Sequence, residues 1–133
     1  KYYVVCGDGE INEGSIWESL LSASKHNLNN LVVLIDYNKL QSYAPINEVL
    51  ELEPLNKKFK SFNFNVLEVN GHDIIQIDEA IKLANKNLTK PTVIICHTIK
   101  GKGIKVAENN PSWHHKSFLT DKDLKDIESS LGK

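Results

Sequence analysis

The 133-residue sequence has no methionine, only two cysteines, a formal net charge of −1, and no apolar run near the roughly 18 residues that a membrane-spanning helix needs. Each scarcity excludes something. No membrane segment is expected, and no basic stretch precedes an apolar core at the N-terminus as in a secretory leader. The near-zero charge offers no broad positive field, and the basic residues are scattered except for Lys100, Lys102 and Lys105, so no nucleic-acid partner is expected. Cys6 and Cys96 both lie inside apolar, strand-like runs, where a cysteine behaves as a small buried hydrophobe; this fits a reducing, cytoplasmic setting. With no initiator residue and an opening inside a strand, the chain is expected to be a fragment. Internal repeats, low-complexity tracts and linkers are lacking as well.

What is present is a 41% apolar, 25% charged composition suited to one globular layer system. Residues 2–6 and 31–35 read as buried parallel strands, rich in β-branched residues and apolar throughout, which requires cover on both faces of the sheet. Between them Ile16, Trp17, Leu20, Leu21, Ala23 and Leu28 recur at helical spacing from Gly14, making a right-handed strand, helix, strand crossover. Residues 38–51, interrupted by Pro45, read as a loop carrying functional groups. A helix over 52–62 with Pro54 in its first turn, a strand over 65–69 and a helix over 74–88 follow. Ile77, Ile81, Ala84 and Leu88 of that last helix face inward. A strand over 92–98 leads into a loop, and a helix over 121–131 starts at the cap-like Thr120. The fold class expected is α/β, a parallel sheet with helices on both faces.

The first strand ends in Gly7-Asp8-Gly9, and the second in Asp36-Tyr37-Asn38, with Asn38 thirty residues after Asp8. In open α/β sheets ligands bind beyond the carboxyl ends of the strands, and glycines there let backbone amides approach a phosphate. A carboxylate and an amide oxygen at neighbouring strand ends suit Mg²⁺, which takes the rest of its shell from water and substrate phosphates. A diphosphate ligand is therefore implied. Of the remaining candidates, His26 and His97 read as structural and His72 is open. Trp17 reads as packing, and the Lys100, Lys102 and Lys105 cluster suits either a sugar phosphate or a solvated turn.

The run GDGEINEGSIWESLLSASKHNLNNLVVLIDYNKLQ resembles the thiamine-diphosphate signature, GDG followed after roughly thirty residues by Asn, in its transketolase form. The likeness continues through VNGHD, PTVIICHTIKGKG and ENNPSWHHK, and resembles the N-terminal half-enzyme of split transketolases over nearly the whole chain. It implies a partial transketolase-like fold, in which residues 1–133 form the C-terminal portion of the diphosphate-binding domain. It also implies that Asp8, Asn38 and the main-chain carbonyl of Leu40 ligate Mg²⁺ or Ca²⁺, and that the ion holds the diphosphate of thiamine diphosphate. Gly7 and Gly9 would border the diphosphate, with the Gly9 amide donating to it. Glu13 would join an acid network across a dimer, and His114 would stand near the diphosphate and the reacting carbon.

The resemblance further implies a ketol transfer between sugar phosphates. Its partners would be the upstream part of the same domain and a second subunit with the pyrimidine-binding and C-terminal domains. His115 stands where relatives usually have Gly, and Ser42-Tyr43-Ala44 replaces an Ile-Asp-Gly stretch; both are expected to alter substrate contacts. Three alternatives stand beside this reading. A deoxyxylulose-phosphate synthase shares the GKG turn, but has an aromatic residue where Ile104 stands. A haloacid-dehalogenase-like phosphatase would need a DxDxT strand that the sequence lacks. A non-catalytic assembly subunit of the same fold remains.

Overall fold

A computed structural model describes residues 1–42 and 44–132. The chain runs β1 (Tyr2–Gly7), α1 (Gly14–Lys25), β2 (Leu31–Tyr37), β3 (Leu40–Gln41), β4 (Ala44–Pro45), α2 (Ile46–Val49), α3 (Leu55–Ser61), β5 (Asn65–Asn70), α4 (Ile74–Lys86), β6 (Thr92–His97) and α5 (Asp121–Ser130). Two single 3-10 turns, Glu10–Asn12 and Pro111–Trp113, stand at the sheet mouth and in the late loop.

β1, β2, β6 and β5 form one parallel sheet in that order, while β3 and β4 make a separate antiparallel hairpin. Because side chains alternate along a strand, β2 and β6 serve two cores. Val33, Ile35 and Tyr37 with Val93 and Ile95 meet Leu20 and Ala23 of α1 and Leu55 and Phe59 of α3 on one face. Val32 with Ile94 and Cys96 meets Ala80 and Ala84 of α4 on the other. Helices thus cover both faces, as the continuous apolar runs require. Trp17 stacks on Phe59 at 5.7 Å and meets the edge of Phe62 at 5.5 Å, so this half-buried ring packs against the core and joins α1 to α3.

The structure corrects several sequence expectations. Within the described residues β1 lies at the sheet edge rather than buried, with Tyr2 and Val5 70% and 69% exposed and Cys6 alone buried among its apolar residues. The loop over 38–51 contains the β3–β4 hairpin and the single turn α2, whose Ile46 is buried. α3 begins at Leu55, after Pro54, because Pro54 has extended backbone (ψ 101°) and serves as the cap. α4 stops at Lys86, leaving Leu88 exposed, and the inward position that the pattern overlooked is Ala80.

α4 and α5 start on the caps their sequences suggest. The Asp73 carboxylate accepts from the amides of Ile75 and Gln76, and Thr120 with Asp123 forms a reciprocal capping box. Cys6 and Cys96 are free thiols, both made weaker acids by burial first and by a nearby carboxylate second. No helix among the described residues is long and apolar enough to cross a membrane.

Candidate cofactor-binding site

All four strands of a parallel sheet end on the same side, so their carboxyl ends gather the polar turns that follow them. The register pairs Gly7 with Asp36, and Tyr37 with His97, which sets Asp8 beside the turn carrying Asn38. Asp8 is 2% exposed. Its amide donates to the carbonyl of Asp36 at 3.1 Å, and its carboxylate accepts from the amide of Lys39 at 2.5 Å. Lys39 is a non-glycine residue in the left-handed region, with φ 64°. That conformation turns the chain so that the next amide, Leu40 N–H, donates to Asn38 Oδ1 at 3.0 Å.

A cavity of about 320 Å³ is lined by Gly7, Asp8, Gly9, Asn38, Leu40 and His114, together with Glu10, Asp36, Gln41, Ser42 and Lys100. Six of the seven site residues singled out in the sequence therefore meet in one place. Glu13 does not: it caps the start of α1, is exposed, and is not among the lining residues. Tyr43, in the stretch expected to alter substrate contacts, lies outside the described residues. Asp36 stood in the strand-end pattern without an assigned role. Gln41, whose amide oxygen accepts from Asn12 Nδ2 at 2.9 Å, carried no signal in the sequence.

Lys100 separates from its neighbours. It lines this cavity and an adjoining one of about 510 Å³ that also includes Asp36, Asn38, His72 and Lys102. Lys102 instead pairs with Glu108 at 3.7 Å, and Lys105 lines neither cavity. His72 Nε2 accepts from the Ile99 amide at 2.7 Å, tying the turn after β5 to the one after β6. His97 pairs with Glu68 at 2.9 Å.

Burial pushes the Asp8 carboxyl above its ordinary range, with the Asp36 charge adding to the rise; the amides of Lys39 and Gly9 and the Lys100 ammonium pull the other way. His114 has the opposite problem. Burial first, then the charges of Lys100 and His115, lower its proton affinity, favouring neutral imidazole. Its ring meets that of His115 edge to face at 4.3 Å, and its buried Nδ1 has no hydrogen-bond partner.

These residues fit a divalent cation carrying a phosphate group. A desolvated carboxylate close to a second one is stabilised by a hard cation, and Asn38 Oδ1 retains acceptor capacity beyond the Leu40 bond. No cluster of three or more His, Cys, Asp or Glu exists among the described residues, so further ligands would come from backbone carbonyls, water or the phosphates themselves. At Gly7 a side chain would meet nothing within 4 Å, leaving open space at the cavity wall, and Lys100 adds a cation there.

Comparison with known proteins identifies the family and the fold. The family described as transketolase, thiamine diphosphate binding domain, matches residues 1–133. One of the subunits of apulose-4-phosphate transketolase from Actinobacillus succinogenes is 42% identical over 116 residues, covering 87% of this chain and 42% of that protein. A 6-deoxy-6-sulfo-D-fructose transketolase subunit of a Clostridium species is 37% identical over 113 residues, covering 85% of this chain and 41% of that protein. The chain thus spans about two-fifths of the length of these relatives. The crystal structure of Campylobacter jejuni transketolase superposes with a TM-score of 0.83 at 32% identity, over 99% of this chain and 20% of that one. From the strand-end motifs, the cavity they build and these matches together, the chain belongs to the transketolase thiamine diphosphate binding domain family.

Proposed function

We propose that this chain is the diphosphate-binding component of a split transketolase. In this reading it holds thiamine diphosphate through Mg²⁺ or Ca²⁺, and acts with a second subunit that supplies the pyrimidine-binding and C-terminal domains. The observation that carries the reading is the convergence of Asp8, Asn38 and Leu40 from two strand ends into the cavity that also holds Gly7, Gly9 and His114. The naming of similar proteins as individual transketolase subunits supports a partner chain.

Asp8, the Asn38 amide oxygen and the Leu40 carbonyl would ligate the metal, and Lys100 would balance the charge of the diphosphate. Thiamine diphosphate held there would supply a carbon nucleophile suited to the transfer of a two-carbon ketol unit between a ketose phosphate and an aldose phosphate. Neutral His114 would accept a proton from a substrate hydroxyl beside the reacting carbon and return it later. Glu13, exposed at the start of α1, is available to an acid network with a neighbouring subunit.

Calorimetry of the chain with thiamine diphosphate, with and without Mg²⁺, tests the first half. Binding that requires the metal is the expected result, and no binding in either titration would refute it. Ketol transfer on mixing with the partner subunit tests the second.

A further inference from the structure

α5 buries none of its residues, yet both of its ends are tied to the segment 105–116 that carries His114. At its start, Lys116 Nζ donates to Asp123 Oδ1 at 2.8 Å. At its end, Ser130 Oγ accepts from the Lys105 amide at 3.3 Å. The Lys116 ammonium also lies 4.5 Å from the centroid of the Trp113 ring, the residue immediately before His114. Asp123 is fixed before it meets Lys116: its Oδ2 accepts from the amide and hydroxyl of Thr120 at 2.8 and 2.7 Å. Its carboxyl is held down to about 2, by the Lys116 bond first, so the carboxylate is ionised at any physiological pH.

With side chains only 26% and 15% exposed, this pair is better shielded from water than a typical surface ion pair. The turn itself is shaped from within. Asn110 Oδ1 accepts from the amide and hydroxyl of Ser112, Asn110 Nδ2 donates to the Val106 carbonyl, and the His114 amide donates to that of Pro111. Such bonds give the turn a form, while the α5 contacts connect it to a separate element.

We propose that Lys116 and Asp123 are positioning residues, through which α5 clamps the Trp113 turn and holds His114 at the wall of the cofactor cavity. The inference rests on that cavity being the cofactor site. The groups around His114 are Lys100 and His115, with Asp8, Glu10 and Asp36 lining the same cavity.

NMR titration of the imidazoles in the full chain tests the clamp without cofactor, with His26, His72 and His97 as internal references. Burial is the largest cause of the low proton affinity of His114, so releasing the turn should rehydrate the ring. Asp123→Asn and Lys116→Met should each raise the His114 midpoint towards that of an ordinary histidine, leaving the references in place, and Lys116→Arg should restore it. Lys125→Met, which removes another charge of α5 and leaves the Lys116–Asp123 pair and its Thr120 support in place, should leave His114 unmoved. In the complex with the partner subunit, Asp123→Asn should lower kcat by about 10- to 100-fold, the range for a misplaced catalytic group. An unchanged His114 midpoint in Asp123→Asn and Lys116→Met would overturn the proposal. So would an equal shift in Lys125→Met, since loss of any charge on α5 would then explain it. If the wild-type chain fails to bind thiamine diphosphate while the midpoints shift as expected, the cofactor reading fails and the clamp stands.

Discussion

The amide of Lys39 donates to the carboxylate of Asp8, thirty-one residues earlier in the chain, and joins the end of β2 to the end of β1. Lys39 takes a left-handed conformation to do so, and the same turn directs the Leu40 amide onto Asn38. One strained residue thereby orders the two side-chain oxygens proposed to hold the metal.

Asp8 should trade stability against function. Burial raises its folded-state pKa, so the unfolded chain ionises this group at lower pH than the folded chain does. The stability associated with protonated Asp8 is present at low pH and is lost as pH rises through the folded value. Asp8→Asn, which keeps an oxygen to accept the Lys39 amide, should therefore raise the urea midpoint of the ligand-free chain at pH 7, with the gain shrinking under acid. Calorimetry of the same variant should show no Mg²⁺-dependent binding of thiamine diphosphate. A less stable variant that still binds would refute both the charge assignment and the site.

Lys39→Gly should be neutral or stabilising by up to about 1 kcal/mol, because the bond to Asp8 uses the backbone and glycine removes the left-handed penalty. Lys39→Val should cost about 1–2 kcal/mol and weaken metal-dependent binding. Denaturation midpoints and calorimetry on the two variants check this, and equal behaviour would show that the turn is not strained.

His114→Ala, assayed with the partner subunit, should lower turnover by about 10²- to 10⁴-fold while cofactor binding changes far less. His115→Gly should be mild by comparison. Because burial and nearby charges lower the proton affinity of His114, the acid limb of the pH-rate profile should lie below the ordinary histidine value. If His115 proves essential and His114 dispensable, the catalytic assignment moves by one residue.

Tyr37→Phe tests the frame behind the Asn38 turn. The buried Tyr37 hydroxyl donates to Glu53 Oε1 at 2.8 Å, and this bond is the largest cause of the lowered pKa of Glu53. Its loss should cost about 0.5–1.5 kcal/mol. The wild-type contribution is present above the unfolded carboxyl value and fades as pH falls through the lowered folded value, so the gap between the two proteins should close in acid. Urea unfolding at neutral and acid pH measures it; a gap that widens in acid would be contrary.

Much of this molecule can be read from its sequence because local chemistry has a local signature. β2 and β6 announce themselves as unbroken apolar runs since both faces are covered, and α5 starts where Thr120 and Asp123 can cap it. The glycine-flanked Asp8 and the distant Asn38 stand out as polar residues at the ends of two apolar runs, and the parallel register brings both to one cavity. Strand order, by contrast, is a property of long-range pairing. β6, late in the chain, pairs between β2 and β5, an order that no local pattern announces. Only the folded chain brings Lys100 and His114 to the same cavity wall, leaves Glu13 outside it, and turns Lys39 onto Asp8. Those relations join residues far apart in the chain, and their energies depend on burial and separation in three dimensions, which no residue carries in its own identity.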